Sequence, residues 1–304
     1  MGEIFDKKKI LMADLALLMV AFIWGAGFLV VKDSLSHMTP LYLMGIRFIF
    51  SALAMALIFF NKTKQIRKHH LKSGIIVGIF LYVAFAFQTV GLQYTTVSNQ
   101  AFLTGTNVVM VPFLVWMVYK KRPDAFSFIG AILCVLGIGL LTLGDNLTFN
   151  PGDILTLVCA FFFGCHITSV GHFAKKEDPI ILTITQFGVC AILMIISAVI
   201  IEPFPTTFDS SLYMGIGYMV MISTVLAFGA QNVAQKYTPA THAALILCLE
   251  AVFGSVLAVI FRGEGFSMKM LIGCIIIFCA IIITETKLEF LGFNKGKKDI
   301  TEVG

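Results

Sequence analysis

Along this chain, apolar runs of about 20 residues alternate with short polar breaks. A helix needs roughly 17–25 apolar residues to cross about 30 Å of hydrocarbon. The runs predict ten such helices, at 11–32, 40–60, 72–93, 97–119, 125–143, 151–173, 179–201, 211–232, 239–261 and 268–286. The breaks include Ser36-His37-Met38-Thr39-Pro40, the run from Asn61 to Lys72, Lys120-Lys121-Arg122-Pro123 and Glu202-Pro203-Phe204-Pro205. Proline just after a break suits a helix's first turn, where a missing N–H costs little. The tail from Asn294 is charged and is expected to be disordered.

The apolar runs recur as a unit. Shifted by 139, residues 14–55 match 153–194 without a gap, with 11 of 42 positions identical, among them Asp14/Asp153, Gly25/Gly164, Pro40/Pro179 and Phe48/Phe187. Beyond helix 2 the shift becomes 143 and aligns Ala84/Ala227, Phe85/Phe228, Gln88/Gln231, Tyr94/Tyr237 and Thr95/Thr238. Shared hydrophobic bias does not readily produce the Asp, Gly and Pro matches. Each half carries five helices, and five is odd, so the second half starts on the opposite side. The expected fold is an all-α membrane protein of ten transmembrane helices in two inverted five-helix repeats, 1–148 and 149–304. Inverted halves can exchange conformations, which is how many secondary transporters alternate access.

Composition agrees with burial in lipid. Hydrophobic residues make up 58% and charged residues 13% of 304, and mean hydropathy is +0.93. A soluble fold of this length lacks the interior to hide that surface. The charge is sorted by side. With the N-terminus inside, 18 of the 22 Lys and Arg fall inside, three fall outside, and Arg47 lies within helix 2. The bias predicts a multi-pass protein of the cell membrane with both termini cytoplasmic. The net charge of +5 follows from the same sorting and gives no sign of nucleic-acid binding. The seven cysteines lie in apolar runs without CxxC spacing and read as small buried hydrophobes. No P-loop, HExxH or GxSxG motif occurs, so no cofactor, metal or enzyme activity is expected.

Four segments resemble a known family. They are AFIWGAGFLVVK (21–32), TPLYLMGIRF (39–48), GLQYTTVSNQAFLTG (91–105) and AALILCLEAVFGSVLAVIFRGE (243–264). Together they are similar to the EamA-type, ten-helix branch of the drug/metabolite transporter superfamily, over about 11–286. Two departures stand out: Ala251 where the family often has proline, and the basic run Lys120-Lys121-Arg122 where an acidic residue is common. The resemblance implies export or exchange of a small metabolite across the cytoplasmic membrane. An intramembrane enzyme and a non-transporting membrane or sensor protein are the alternatives.

Seven residues are candidates for substrate binding or coupling. Glu250 falls roughly 18 Å along helix 9, where an ionised group is costly unless wet or paired, so it is functional or a protonated structural carboxyl. Asn107 is its repeat mate. Arg47, in helix 2, could grip a substrate carboxylate bidentately or brace Glu250 or a helix end, and its mate is Gln186. His166 could relay protons. Trp24 and its mate Phe163 could stack on substrate or simply pack. A Glu and an Arg at different depths would suit a zwitterion such as an amino acid. The expected partners are a small-molecule substrate, the lipid bilayer and, if transport is coupled, protons through Glu250. Monomer and homodimer both stay open.

Overall fold

The structure, a computed structural model, describes residues 2–120, 122, 124–142, 150–205, 210–262 and 267–286. The expected repeat boundary at 148/149 and the tail from Asn294 lie outside these residues. Among the described residues there is no strand, and ten long helices follow in order, with one short helix, Phe60–Thr63, between the second and third. Helix 1 is Gly2–Ser34, helix 2 Pro40–Ile58, helix 3 Lys68–Gly91, helix 5 Ala125–Thr142, helix 6 Pro151–Phe173, helix 7 Pro179–Ile201 and helix 10 Met268–Thr286. Helix 8 runs from Ser210 to Ala234 and contains a π-helical stretch, Tyr218–Leu226.

Helices 4 and 9 depart from expectation, because each is two pieces rather than one rod. Helix 4 is Val97–Gly105 then Asn107–Tyr119; helix 9 is Ala240–Leu247 then Glu250–Arg262. The breaks are repeat mates. At each, the chain tightens into i→i−3 bonds: Thr106 N–H to Leu103 O at 3.2 Å, and its mate Leu249 N–H to Ile246 O at 3.1 Å. Apolar periodicity did not show them, since a one-residue tightening leaves hydropathy unchanged. Helix 1 also starts earlier than the apolar run. Hydropathy marks where lipid begins, whereas helix formers such as Glu3 and Lys7–Lys9 continue the helix beyond it.

Contacts at the helix ends settle the arrangement. On the side of the N-terminus, Asp14 of helix 1 accepts hydrogen bonds from Thr238 (3.2 Å) and His242 (2.9 Å), which flank the start of helix 9. On the far side Asp153 of helix 6 accepts one from Thr95, just before helix 4, at 2.6 Å. Asp14/Asp153 and Thr95/Thr238 are repeat mates, so one contact is made twice, once on each side. The remaining end contacts obey the same alternation. Glu202, after helix 7, takes the Leu41 and Tyr42 N–H groups that open helix 2 (2.9 and 3.1 Å), and Lys62, after helix 2, pairs with Asp178 before helix 7. The two halves are therefore inverted.

Among the described residues, eight segments are long and apolar enough to cross a bilayer by themselves. The shorter apolar stretches Ala125–Leu140 and Met268–Thr284 belong to helices 5 and 10, which are mates and pack on each other. Large apolar side chains such as Leu57, Ile200 and Met214 lie on the outside, while Thr183, Gln186, Gln231, Asn232 and Gln235 are fully buried. In lipid that distribution is favourable, because the outside is the apolar solvent and polar groups must find partners within the protein. Helix 3 closes on helix 7 at Gly78, where a Cβ would come within 2.7 Å of the Val189 side chain. Of the cysteines read as buried, Cys279 is instead exposed on the outer face, which lipid tolerates as well as an apolar core does.

Helix 7 begins at a cap whose strength depends on pH. Asp178 Oδ1 accepts the N–H groups of Ile180 (2.9 Å) and Ile181 (3.4 Å), and Oδ2 meets Lys62. Partial burial pushes this carboxyl pKa up, but Lys62 and the two N–H groups outweigh it and hold the pKa below its usual value. A depressed folded pKa contributes stability that is complete above the ordinary carboxylate range and lost as pH falls through the folded value. Asp178→Ala is expected to cost about 1 kcal/mol, a typical N-cap loss. Thermal unfolding in detergent should show a constant Tm deficit from pH 8 down to pH 5 that shrinks below about pH 4. A pH-independent deficit would contradict this account.

Candidate functional site

A cavity of about 860 Å³, including its opening, lies between the halves. Its lining is mostly repeat mates: Trp24/Phe163, Gly27/His166, Phe28/Ile167, Phe85/Phe228, Gln88/Gln231, Thr104/Leu247, Gly105/Cys248 and Asn107/Glu250. Besides these paired positions and Ser223, six residues line it without their mates: Val31, Met44, Arg47, Thr89, Leu92 and Gln100. All six belong to the first half and to the parts of helices 1–4 near the far side. Their mates Val170, Thr183, Gln186, Asn232, Gln235 and Ala243 lie toward the N-terminal side. Met44, Arg47, Thr89, Leu92 and Gln100 are buried as their mates are, but only the first-half residues line the cavity. The cavity therefore extends toward the far side and not, to the same depth, toward the N-terminal side.

The end toward the N-terminal side is held by polar pairs beside the apolar packing of Val170 and Ala243. Gln235 donates to Ile167 O at 3.0 Å, Gln231 donates to Gln235 at 3.2 Å, and Asn232 donates to Thr183 at 2.8 Å. Behind the wall, His166 Nε2 and Gln186 Oε1 are 2.9 Å apart.

Aromatic rings form the centre. Trp24 leans on Phe228 (centroids 4.8 Å apart), and their mates Phe163 and Phe85 meet edge to face at 5.2 Å. Phe85 and Phe228 are 6.0 Å apart, which joins the two pairs near the axis that relates the halves. Phe48 and Phe187, also mates, back this group at 5.7 Å from each other. Such tilted and edge-on pairs are the favourable geometries for ring quadrupoles.

Arg47 enters from helix 2 and is spent largely on helix 8. Its Nε donates to Thr224 Oγ1 at 2.6 Å, and its Nη2 reaches Ser223 Oγ at 3.2 Å and Ser223 O at 3.4 Å. Nη1 lies 3.8 Å from the Met44 sulfur, and the guanidinium sits 4.8 Å from the Phe85 ring centre. Trp24 Nε1 also donates to Ser223 O, at 3.0 Å. Ser223 and Thr224 belong to the π stretch of helix 8, where Thr224 donates to the carbonyl five residues back, Met219, at 2.7 Å. The wider turn presents both residues to helices 1 and 2. π segments of this kind recur at functional sites.

Glu250 begins the second piece of helix 9, directly under helix 1. Gly25 makes the approach possible: a Cβ there would lie 2.6 Å from Glu250 O and 2.7 Å from Gly254 N. The Glu250 side chain lines the cavity and is 9% exposed. Among the described residues, no ion pair or hydrogen bond holds its carboxylate. The side chain of its mate Asn107 is likewise without a hydrogen-bond partner among them.

Six of the seven residues singled out from sequence thus line one cavity: Trp24, Arg47, Asn107, Phe163, His166 and Glu250. Gln186 stands behind them against His166. Ser223 and the central pair Phe85/Phe228 were not singled out. The repeat alignment had already matched Phe85 with Phe228, a signal that could have found the pair. Nothing in the sequence points to Ser223, because a π stretch leaves no compositional mark.

The sequence profile of the EamA-like transporter family matches the chain twice, at residues 11–143 and 150–286. A protein of Archaeoglobus fulgidus named an uncharacterized transporter is 35% identical over 283 residues, covering 92% of this chain and 88% of its own. Proteins of Salmonella typhimurium and Escherichia coli, each named a probable amino-acid metabolite efflux pump, are both 25% identical, covering 88% and 90% of this chain and 92% and 94% of their own. A solved crystal structure shares the fold, with a TM-score of 0.76 at 15% identity over 92% of this chain and 98% of that one.

The Gly25 contact sets a stability test. Gly25→Ala places a methyl against backbone that cannot swing aside, and overpacking of this kind costs about 1–3 kcal/mol. Gly27→Ala meets nothing closer than Ser223 Oγ at 3.5 Å and should be nearly neutral. Thermal unfolding of the two variants should separate them by several degrees, and equal values would refute the close approach.

Proposed function

The chain belongs to the EamA-like transporter family, and on that premise we propose that it is a secondary transporter moving a small metabolite across the cytoplasmic membrane by alternating access. The single observation that carries this reading is the one-sided cavity. Eight pairs of mates contribute to it, and six residues of the first half contribute while their mates do not. Two halves of one design thus hold different conformations. Exchange of those conformations would close the far side and open the N-terminal side around an unchanged centre.

The two halves, 1–148 and 149–304, are the units that move against each other in this reading. The charge bias places the N-terminal side in the cytoplasm, so the present conformation faces outward. Export or exchange is the direction the two relatives named efflux pumps support. Substrate contacts fall to Trp24, Phe163, Asn107 and Glu250. Arg47, His166 and Gln186 hold the walls. Coupling runs through protons at Glu250 or is absent.

Single-cysteine accessibility tests the reading in a variant lacking the native cysteines. In intact cells Val31→Cys should react with an impermeant thiol reagent from outside. Gln235→Cys should be unreactive in this state and become reactive from the cytoplasm as Val31→Cys becomes protected. Simultaneous reactivity of both would mean a continuous pore and end the alternating-access reading. Efficient labelling of Thr63→Cys from outside would reverse the orientation.

A further inference from the structure

The cavity contains two charged side chains, Glu250 and Arg47, and they are in opposite conditions. A guanidinium grips a carboxylate best through two parallel N–H groups. Arg47 has two such edges, Nε–Nη2 and Nη1–Nη2. Nε donates to Thr224, the shared Nη2 donates to Ser223, Nη1 faces the Met44 sulfur, and the side chain is 3% exposed, so neither edge is open as a pair. Its charge is further shared with the rings of Phe85 and Phe48, 4.8 and 5.6 Å away. Glu250 is the reverse: nine-tenths buried, facing the cavity, and held by no partner among the described residues. Such a carboxylate is costly when ionised until a cation reaches it.

We propose that the substrate is a small organic monocation with an aromatic or other flat apolar body. The ammonium end is held by Glu250 and the body lies against Trp24, Phe163, Phe85 and Phe228. This rests on the transporter reading and names the chemical class its cavity takes. The rings serve both ends of such a molecule, since they offer apolar area to its body and their negative faces to its charge. Asn107 and Thr104 supply the hydrogen-bonding capacity that orients it. A free α-carboxylate gains little, because the arginine fork that would receive it is closed. An amine should therefore bind better than the corresponding amino acid.

Four probes sharing one ring test the class: 2-phenylethylamine, 2-phenylethanol, phenylacetate and phenylalanine. The protein carries two tryptophans, Trp24 in the cavity and Trp116 exposed on helix 4. Purified Trp116→Phe protein in detergent therefore reports occupancy through Trp24 fluorescence. 2-Phenylethylamine should change that fluorescence saturably and raise Tm, with an apparent Kd at least tenfold lower than that of the other three. Glu250→Gln should weaken amine binding at least tenfold, and Glu250→Asp should retain part of it. The ranking in protein with Glu250 intact decides the matter even if Glu250→Gln does not fold. Equal or tighter binding of phenylalanine, phenylacetate or 2-phenylethanol overturns the proposal, as does a lack of response to the amine. The labelling of Val31→Cys and Gln235→Cys involves no ligand, so failure of the cation class would leave the transporter reading to be judged separately.

Discussion

A permanently charged guanidinium deep in an apolar helix has to be solvated by the protein itself. Much of the asymmetry in this molecule follows from that demand. Arg47 has Gln186 as its repeat mate. The glutamine meets His166 through Oε1, its Nε2 has no hydrogen-bond partner among the described residues, and it carries no charge to solvate. The arginine is larger and keeps its charge, and it recruits Ser223 and Thr224 from helix 8 together with the ring of Phe85. Helix 8 answers with a π stretch, whereas its mate, helix 3, is a regular α-helix from Lys68 to Gly91. The cavity extends along the first half and not, to the same depth, along the second.

Trp24 is tied to the same place. Its indole N–H bonds to Ser223 O, the carbonyl that also faces Arg47. Helices 1, 2 and 8 thus share one polar junction beside the aromatic centre. Glu250 stands apart from it. Its backbone is clamped by Gly25 of helix 1 while its carboxylate lines the cavity. The site therefore separates a charge used for architecture from one that has no partner among the described residues.

The glycines, threonines and glutamines between the helices do the work that hydrophobic burial does in water. In lipid an apolar contact between helices gains little over a contact with acyl chains. Close backbone approach and interhelical hydrogen bonds remain, and both are directional. They can be made in two alternative sets where the halves are alike. The paired contacts of Asp14 with Thr238 and of Asp153 with Thr95 mark positions that the two halves hold in common.

Periodicity, charge sorting and internal repetition determined the helices, their order and the inversion of the halves. These properties are imposed by the bilayer on every residue, so the sequence records them many times over. Helices 6 and 7 even begin and end where the apolar runs do. The repeat also pointed to Asn107 with Glu250 and to Trp24 with Phe163, because mates lie equally deep from opposite sides. Tertiary structure alone decided toward which of two equivalent ends the cavity extends, that Arg47 is engaged while Glu250 has no partner among the described residues, and that helix 8 widens at Ser223. The Arg47 contacts join residues more than a hundred positions apart, and those at the N-terminal side join residues up to 68 apart. Such bonds leave hydropathy unchanged, and it is the folded arrangement that breaks the symmetry the sequence repeats.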